Sequence, residues 1–475
     1  MTENTIFLGK SDKAQVLYLS MANRHGLVTG ATGTGKTVSL QIMAEAFSKM
    51  GVPVFAADIK GDLSGISQAG QSIDFLKERA KLVGLDPYTQ NATPTMFWDV
   101  FGEQGHPIRT TITEMGPLML SRLMGLTGAQ EGALNIAFKI ADEEGLALLD
   151  LKDLRALLKD LTERGKQLTT EYGNVTNVTV GAILRRLIVI EEQGGDKFFG
   201  EPALDIKDFI RTTGDGRGYV NIIAADKLVT SPMLYATFLL WLMSELFQTL
   251  PEVGDPEKPT LVFFFDEAHL LFAGAPAGLL QKIEQTVKLI RSKGVGIYFV
   301  TQNPLDIPAS VLAQLGNRVQ HALRAYTPRD QQAVKSAATT FRPNPKFNTE
   351  KAITELGKGE ALVSVLDPNG VPTMVERTFI RPPSGQLGPV TPAQRQATIA
   401  ASPVAGKYET MIDRESAYEK LRVKAAANAP AAPVSPTTKA IEKAAGTFAK
   451  QVGYSIARQL GNALVRGVLG SLSRH

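Results

Sequence analysis

Gly30-Ala31-Thr32-Gly33-Thr34-Gly35-Lys36-Thr37 has the spacing of a phosphate-binding loop. Gly30, Gly33 and Gly35 let the backbone approach an anion and turn its N–H groups inward, Lys36 adds a mobile positive charge for the outer phosphates, and the Thr37 hydroxyl suits Mg²⁺. Val38 follows as the first residue past the motif and belongs to the same nucleotide-binding stretch. An accidental glycine-rich turn is the rival. With 43 glycines in 475 residues, four fixed positions match by chance on the order of a few hundredths of a time.

Further candidates lie downstream. Leu261-Val-Phe-Phe-Phe-Asp266-Glu267 reads as a buried strand releasing two carboxylates. Asp266 suits the Mg²⁺ shell and Glu267 the polarisation of an attacking water, because phosphoryl transfer needs positioning more than covalent help. Gln302 ends the next apolar strand, where it can read an outer phosphate. Asp58 ends an earlier strand and either faces the nucleotide or caps the following turn. Arg291 closes a helical pattern built on Leu280, Ile283, Val287 and Ile290, where with Lys288 and Lys293 it also complements a helix C-terminus. Arg24, just before the first expected strand, reads equally as surface charge.

These residues need strands that end in polar groups. Short apolar runs at Gly26–Thr29, Val52–Ala57, Tyr219–Ala225, Leu261–Phe265 and Gly296–Thr301 alternate with helical patterns, which predicts an α/β, mainly parallel sheet with functional groups at the carboxyl ends of its strands. Leu40, Met43, Phe47 and Met50 put the phosphate loop on a helix N-terminus. Arg318–Leu323 follows, then a hairpin pairing Ala361–Leu366 with Val375–Ile380 through Asp-Pro-Asn-Gly. The reading divides the chain into 1–70 (first part of the ATPase core), 71–216 (a mainly helical insertion, against the alternative of helices covering the sheet), 217–383 (second part of the core) and 384–475 (a Pro/Ala-rich linker and helical tail).

Composition narrows the setting. The absence of cysteine excludes disulfides and thiolate chemistry and fits a reducing compartment, and the five histidines show no metal-ligand spacing. The N-terminus lacks a secretory pattern, and the longest apolar stretch, Leu234–Phe247, contains Ser244 and Glu245 and is too short to span a bilayer. A cytoplasmic protein is expected. The net charge of +4 is uneven: Ser384–His475 holds 12 Lys and Arg against 5 Asp and Glu. In that tail Phe448, Val452, Ile456, Leu460, Leu464 and Val468 fall four apart on a glycine-rich basic helical pattern. Docking on the body or a sister subunit is the favoured reading; peripheral membrane or nucleic-acid contact is the minor one.

In the phosphate loop, Asp58, Phe-Phe-Asp-Glu-Ala-His269, Arg291-Ser-Lys-Gly and Val-Thr-Gln-Asn-Pro304, the chain resembles the HerA–FtsK superfamily of ATPases over about residues 24–380. It more narrowly resembles the bacterial HerA-like (YjgR-type) family through Phe97-Trp-Asp-Val-Phe-Gly-Glu-Gln-Gly-His-Pro107, Arg109-Thr-Thr-Ile-Thr-Glu-Met-Gly-Pro117 and the tail. The resemblance implies a RecA-like core, ATP and Mg²⁺ as ligands, a hexameric ring with ATP between subunits, Arg291 as a trans-acting finger, Arg24 as a second arginine near the phosphates, and Asp58 acting beside Glu267. It also makes DNA a candidate partner. HerA helicases carry an N-terminal β-barrel that docks a nuclease; here only the residues before Arg24 precede the first expected strand, so docking of that nuclease is not expected.

Overall fold

The computed structural model describes residues 4–428 apart from 166–171, 174 and 273–276. One twelve-stranded sheet runs through the unit ending at Leu421, in the order β2-β1-β12-β11-β10-β3-β9-β8-β4-β7-β5-β6. The strands are β1 (Thr5–Lys10), β2 (Ala14–Tyr18), β3 (Gly26–Thr29), β4 (Val54–Asp58), β5 (Thr95–Asp99), β6 (His106–Pro107), β7 (Val220–Ala224), β8 (Leu261–Phe265), β9 (Val295–Thr301), β10 (Asn317–Gln320), β11 (Glu360–Ser364) and β12 (Glu376–Ile380). From β10 to β6 every neighbouring pair is parallel, and from β2 to β10 every pair is antiparallel.

The apolar runs that marked the strands exist because both faces of the sheet are covered. In β8, Leu261, Phe263 and Phe265 join one core cluster while Val262 and Phe264 join another. The second cluster takes in Met43 and Phe47 of helix α1 (Lys36–Lys49). The first continues into Leu154, Leu157, Leu158 and Leu161 of the helix Leu151–Glu163 and Ile183, Leu187 and Ile190 of the helix Asn177–Ile190.

That continuity ties the described helices of 71–216 to one face of the sheet. Among the described residues, their apolar stripes pack into the same core cluster as that face of the sheet. The same segment also supplies β5 and β6, which extend the parallel edge. Thr95–Asp99 is fully buried, so it lacks the alternation that betrays a half-buried strand. β1 and β2, likewise unforeseen, pair into the antiparallel end. From Ser384 to Leu421 the chain packs on the same unit as the sheet. Glu45 accepts hydrogen bonds from the Ser384 and Gly385 amides, and Tyr408 packs edge-on against Trp98 at 5.6 Å. The Ala-Pro stretch and the amphipathic pattern of 444–472 lie outside the described residues. Among those described, no helix is long and apolar enough to cross a membrane.

Candidate functional site

β3, β9, β8 and β4 are consecutive neighbours and all parallel. At about 4.8 Å per strand, their carboxyl ends line up over roughly 14 Å. The phosphate loop leaves β3, Gln302 leaves β9, Asp266 and Glu267 leave β8, and Asp58 closes β4. Residues scattered over 270 positions of sequence thus converge because parallel strands present the same end to the same edge.

The loop has the backbone its glycines foretold. Gly30, Gly33 and Gly35 have φ of 153°, 77° and 121°, and at Gly33 nothing lies within 4 Å of where a Cβ would point, leaving an open cradle of backbone. Beneath it is His321, which the sequence reading missed. A Cβ on Gly30 would come within 2.5 Å of the His321 Cβ. The imidazole Nδ1 lies 2.8 Å from the Glu360 carbonyl and so must donate to it, leaving Nε2, 2.8 Å from the Ser39 hydroxyl, to accept. Burial pushes this ring down to about 4, consistent with a neutral wedge. The Gly359 amide donates to the Thr34 carbonyl at 3.1 Å, so the loop before β11 buttresses the cradle. Lys36 Nζ donates to the carbonyls of Gly30 (2.7 Å) and Ala31 (3.1 Å); burial lowers its pKa, opposed by the charges of Glu267 and Asp266.

A hydrogen-bonded line runs along the edge. Thr32 Oγ1 donates to Gln302 Oε1 at 3.2 Å, Gln302 Nε2 donates to both Glu267 oxygens at 3.1 and 3.2 Å, and Lys60 Nζ reaches Glu267 Oε1 at 2.6 Å. Glu267 adopts φ +46°, the left-handed region that a side-chain-bearing residue occupies only under constraint. Burial opposes its ionisation, but the Lys60 ammonium outweighs this and holds the carboxyl below its ordinary value. Asp266 is pushed up to about 6 by burial and then by the neighbouring Glu267 charge.

Asp58 and the two arginines stand apart from this line. Asp58 does cap the next turn: its oxygens accept from the Gly61 amide (2.9 Å) and the Leu63 amide (3.1 Å). Burial and then the Asp266 charge raise it to about 7. Arg24 and Arg291 lie at the opposite end of the sheet from the phosphates' cradle in the same chain. Arg24 precedes β3, Arg291 precedes β9, and both guanidinium groups hold Asp255 Oδ1, at 3.0 and 3.1 Å. A four-residue strand separates them from the loop by about 13 Å. Lys60 and Arg395 were also missed. Lys60 carried a signal, sitting two residues past Asp58; Arg395 carried none, because its helix, Pro392–Ala400, lies in the stretch read as linker, yet its guanidinium stacks over Phe97 at 4.3 Å within electrostatic reach of Asp58.

The family model described as "Helicase HerA-like C-terminal" matches residues 3–445. The chain belongs to the HerA-like family. Its fold is that of the bacterial conjugative coupling protein TrwBΔN70 in its unbound form (TM-score 0.50, 17% identity, 80% of this chain and 89% of that one) and of TrwB in complex with the non-hydrolysable GTP analogue GDPNP (TM-score 0.50, 16% identity, 79% and 89%). VirB4 of Thermoanaerobacter pseudethanolicus is a more marginal neighbour (TM-score 0.49, 13% identity, 82% and 97%). No curated protein matches the chain by sequence. As a HerA-like protein it has a RecA-like P-loop core, with its mainly parallel sheet, and an ATPase-type site.

Proposed function

We propose that this HerA-like protein hydrolyses ATP with Mg²⁺ as a cytoplasmic ring-forming motor, and that nucleic acid is what it moves. The observation that carries the ATPase reading is the unbroken line Thr32–Gln302–Glu267–Lys60 beside the open glycine cradle and Lys36. The residues fit the ligand: Gly33 leaves room for an anion against backbone N–H groups, and a hydroxyl with a carboxylate is a hard-oxygen pair suited to Mg²⁺. Residues 30–38 would bind the nucleotide, and Thr37 and Asp266 would hold the metal. A bound Mg²⁺–ATP supplies a neutralised triphosphate with a leaving group in line. Glu267 orients and polarises water, Gln302 fixes Glu267 in its strained backbone, and Lys36 stabilises charge on the outer phosphates. Asp58 braces the turn that carries Lys60.

The ring reading rests on where Arg24 and Arg291 stand. They cannot serve their own chain's cradle from the other end of the strands, but a neighbour's amino edge laid against it would deliver them. Nucleic-acid translocation rests on kinship with HerA-like helicases. Turnover should require Mg²⁺, rise with protein concentration as rings form, and increase with duplex DNA over no nucleic acid or single-stranded DNA. Full activity in dilute monomer would remove the ring. Indifference to DNA would leave an ATPase that works on a protein partner.

A further inference from the structure

Glu267 has more partners than a water-orienting carboxylate needs. Gln302 already contacts both of its oxygens, and Lys60 adds an ammonium at 2.6 Å. The two partners are differently built. Gln302 is an exposed but short amide that directly follows the buried strand β9, whereas Lys60 carries its ammonium on a long stem half in solvent (49%, against 6% for Glu267). The Lys60 backbone is nevertheless fixed, because Asp58 caps the turn through Gly61 and Leu63 and Gly61 takes φ +77°. A rigid base thus carries a long free stem whose charged tip lies within electrostatic range of Lys36, Asp266 and Glu267.

We propose that Lys60 is a second phosphate-reading cation, which exchanges Glu267 for the terminal phosphate of a nucleoside triphosphate and thereby tells triphosphate from diphosphate. This rests on the nucleotide-binding reading given above. A terminal phosphate carries more negative charge than one carboxylate and offers three oxygens to an ammonium. The exchange leaves Glu267 with Gln302 and with His269 Nδ1, 3.4 Å from its Oε2, and frees a lone pair of Oε1 for water. A diphosphate ends short of the position, and Lys60 stays on Glu267. Asp58 is then a positioning residue acting through Lys60.

The test is binding of ADP and of a non-hydrolysable β,γ-imido ATP analogue, both with Mg²⁺, to the full chain. Loss of one charge-assisted hydrogen bond is worth about tenfold or more. Lys60→Met should weaken the analogue by that factor and leave ADP within about twofold, while Lys60→Arg, which keeps the charge, should retain most of the discrimination. Glu267→Gln frees the ammonium and should tighten the analogue several-fold, a gain absent from Glu267→Gln/Lys60→Met. Lys60→Gln replaces the methionine variant should that one not fold. An unchanged analogue-to-ADP ratio in Lys60→Met, or equal weakening of both nucleotides, would overturn the proposal while leaving nucleotide binding intact. Failure of the unmodified protein to bind either nucleotide would instead strike the underlying reading.

Discussion

The two ends of the parallel strands have opposite character. At the carboxyl edge, Lys36, Asp266, Glu267, Gln302 and Asp58 are interlocked and, apart from Gln302, largely buried. At the amino edge, Arg24 and Arg291 share one carboxylate, Asp255, that is 64% exposed. Each edge nevertheless stands on a neutral buried histidine. His321 wedges the phosphate loop, and His25 donates from Nε2 to the Val287 carbonyl at 2.8 Å while Nδ1 accepts from the Ile297 amide at 3.0 Å. On the proposed ring reading, the contrast separates what one chain completes from what a neighbour would supply. Charges that must be ready before substrate arrives are desolvated and pre-oriented, which is costly and therefore thoroughly hydrogen-bonded. Arg24 and Arg291 instead stay partly in solvent, held by an exposed ion pair of the kind that contributes little to stability.

The largest effect should come from separating the two edges genetically. Arg291→Ala should keep nucleotide binding and lose about 10³-fold in turnover, the scale of an arginine finger. Glu267→Gln should lose ~10²-fold or more and retain bound ATP. Mixing the two inactive proteins should restore measurable ATPase activity, because some sites then pair an intact carboxyl edge with an intact amino edge. No recovery in mixed assemblies breaks the comparison as drawn.

The histidines give a smaller effect that touches both edges. Burial pushes His25 and His321 from 6.5 down to about 4. Between those values the unfolded chain binds the proton and the folded chain does not. The histidines' contribution to stability is therefore full above pH 6.5 and falls as the pH drops toward 4, by ~3 kcal/mol per histidine, while the raised carboxyls of Asp58 and Asp266 act in the opposite sense. Urea unfolding at pH 7 and pH 4.5 measures it. His25→Gln/His321→Gln should flatten that slope, and an equally steep decline in the double variant would assign it to other groups.

The smallest effect sharpens the amino edge. Asp255→Asn removes an exposed ion pair, so thermal stability should move by less than about 1 kcal/mol. If the arginines serve a neighbour, turnover should hold or rise as they are released. A large loss of stability would mean that Asp255 is structural and the arginines are not free to leave it.

Much of the core was legible because local rules governed it. The glycine spacing of 30–37 dictates a backbone that only glycines reach easily, and the runs at Gly26–Thr29 and Leu261–Phe265 match their strands residue for residue, since strands covered on both faces cannot hide their apolar pattern. Gln302 was placed by its position after such a run. Asp58 was half legible: its capping role follows from local turn chemistry, but its raised pKa depends on burial and then on Asp266, two hundred positions away and one strand over. β5 and Arg395 were illegible for a different reason. One is a short strand without alternation, and the other belongs to a low-complexity stretch whose packing is set by Phe97 and the sheet edge.

The sequence by itself determined a P-loop, the carboxylate pair that ends β8 and the parallel core beneath them, because each is specified by residues within one turn or strand of each other. Only the tertiary structure decided that Arg24 and Arg291 share Asp255, that Lys60 grips Glu267 and that His321 underlies the loop. Those are contacts between elements, fixed by strand order, and no spacing along one chain encodes which strand lies beside which.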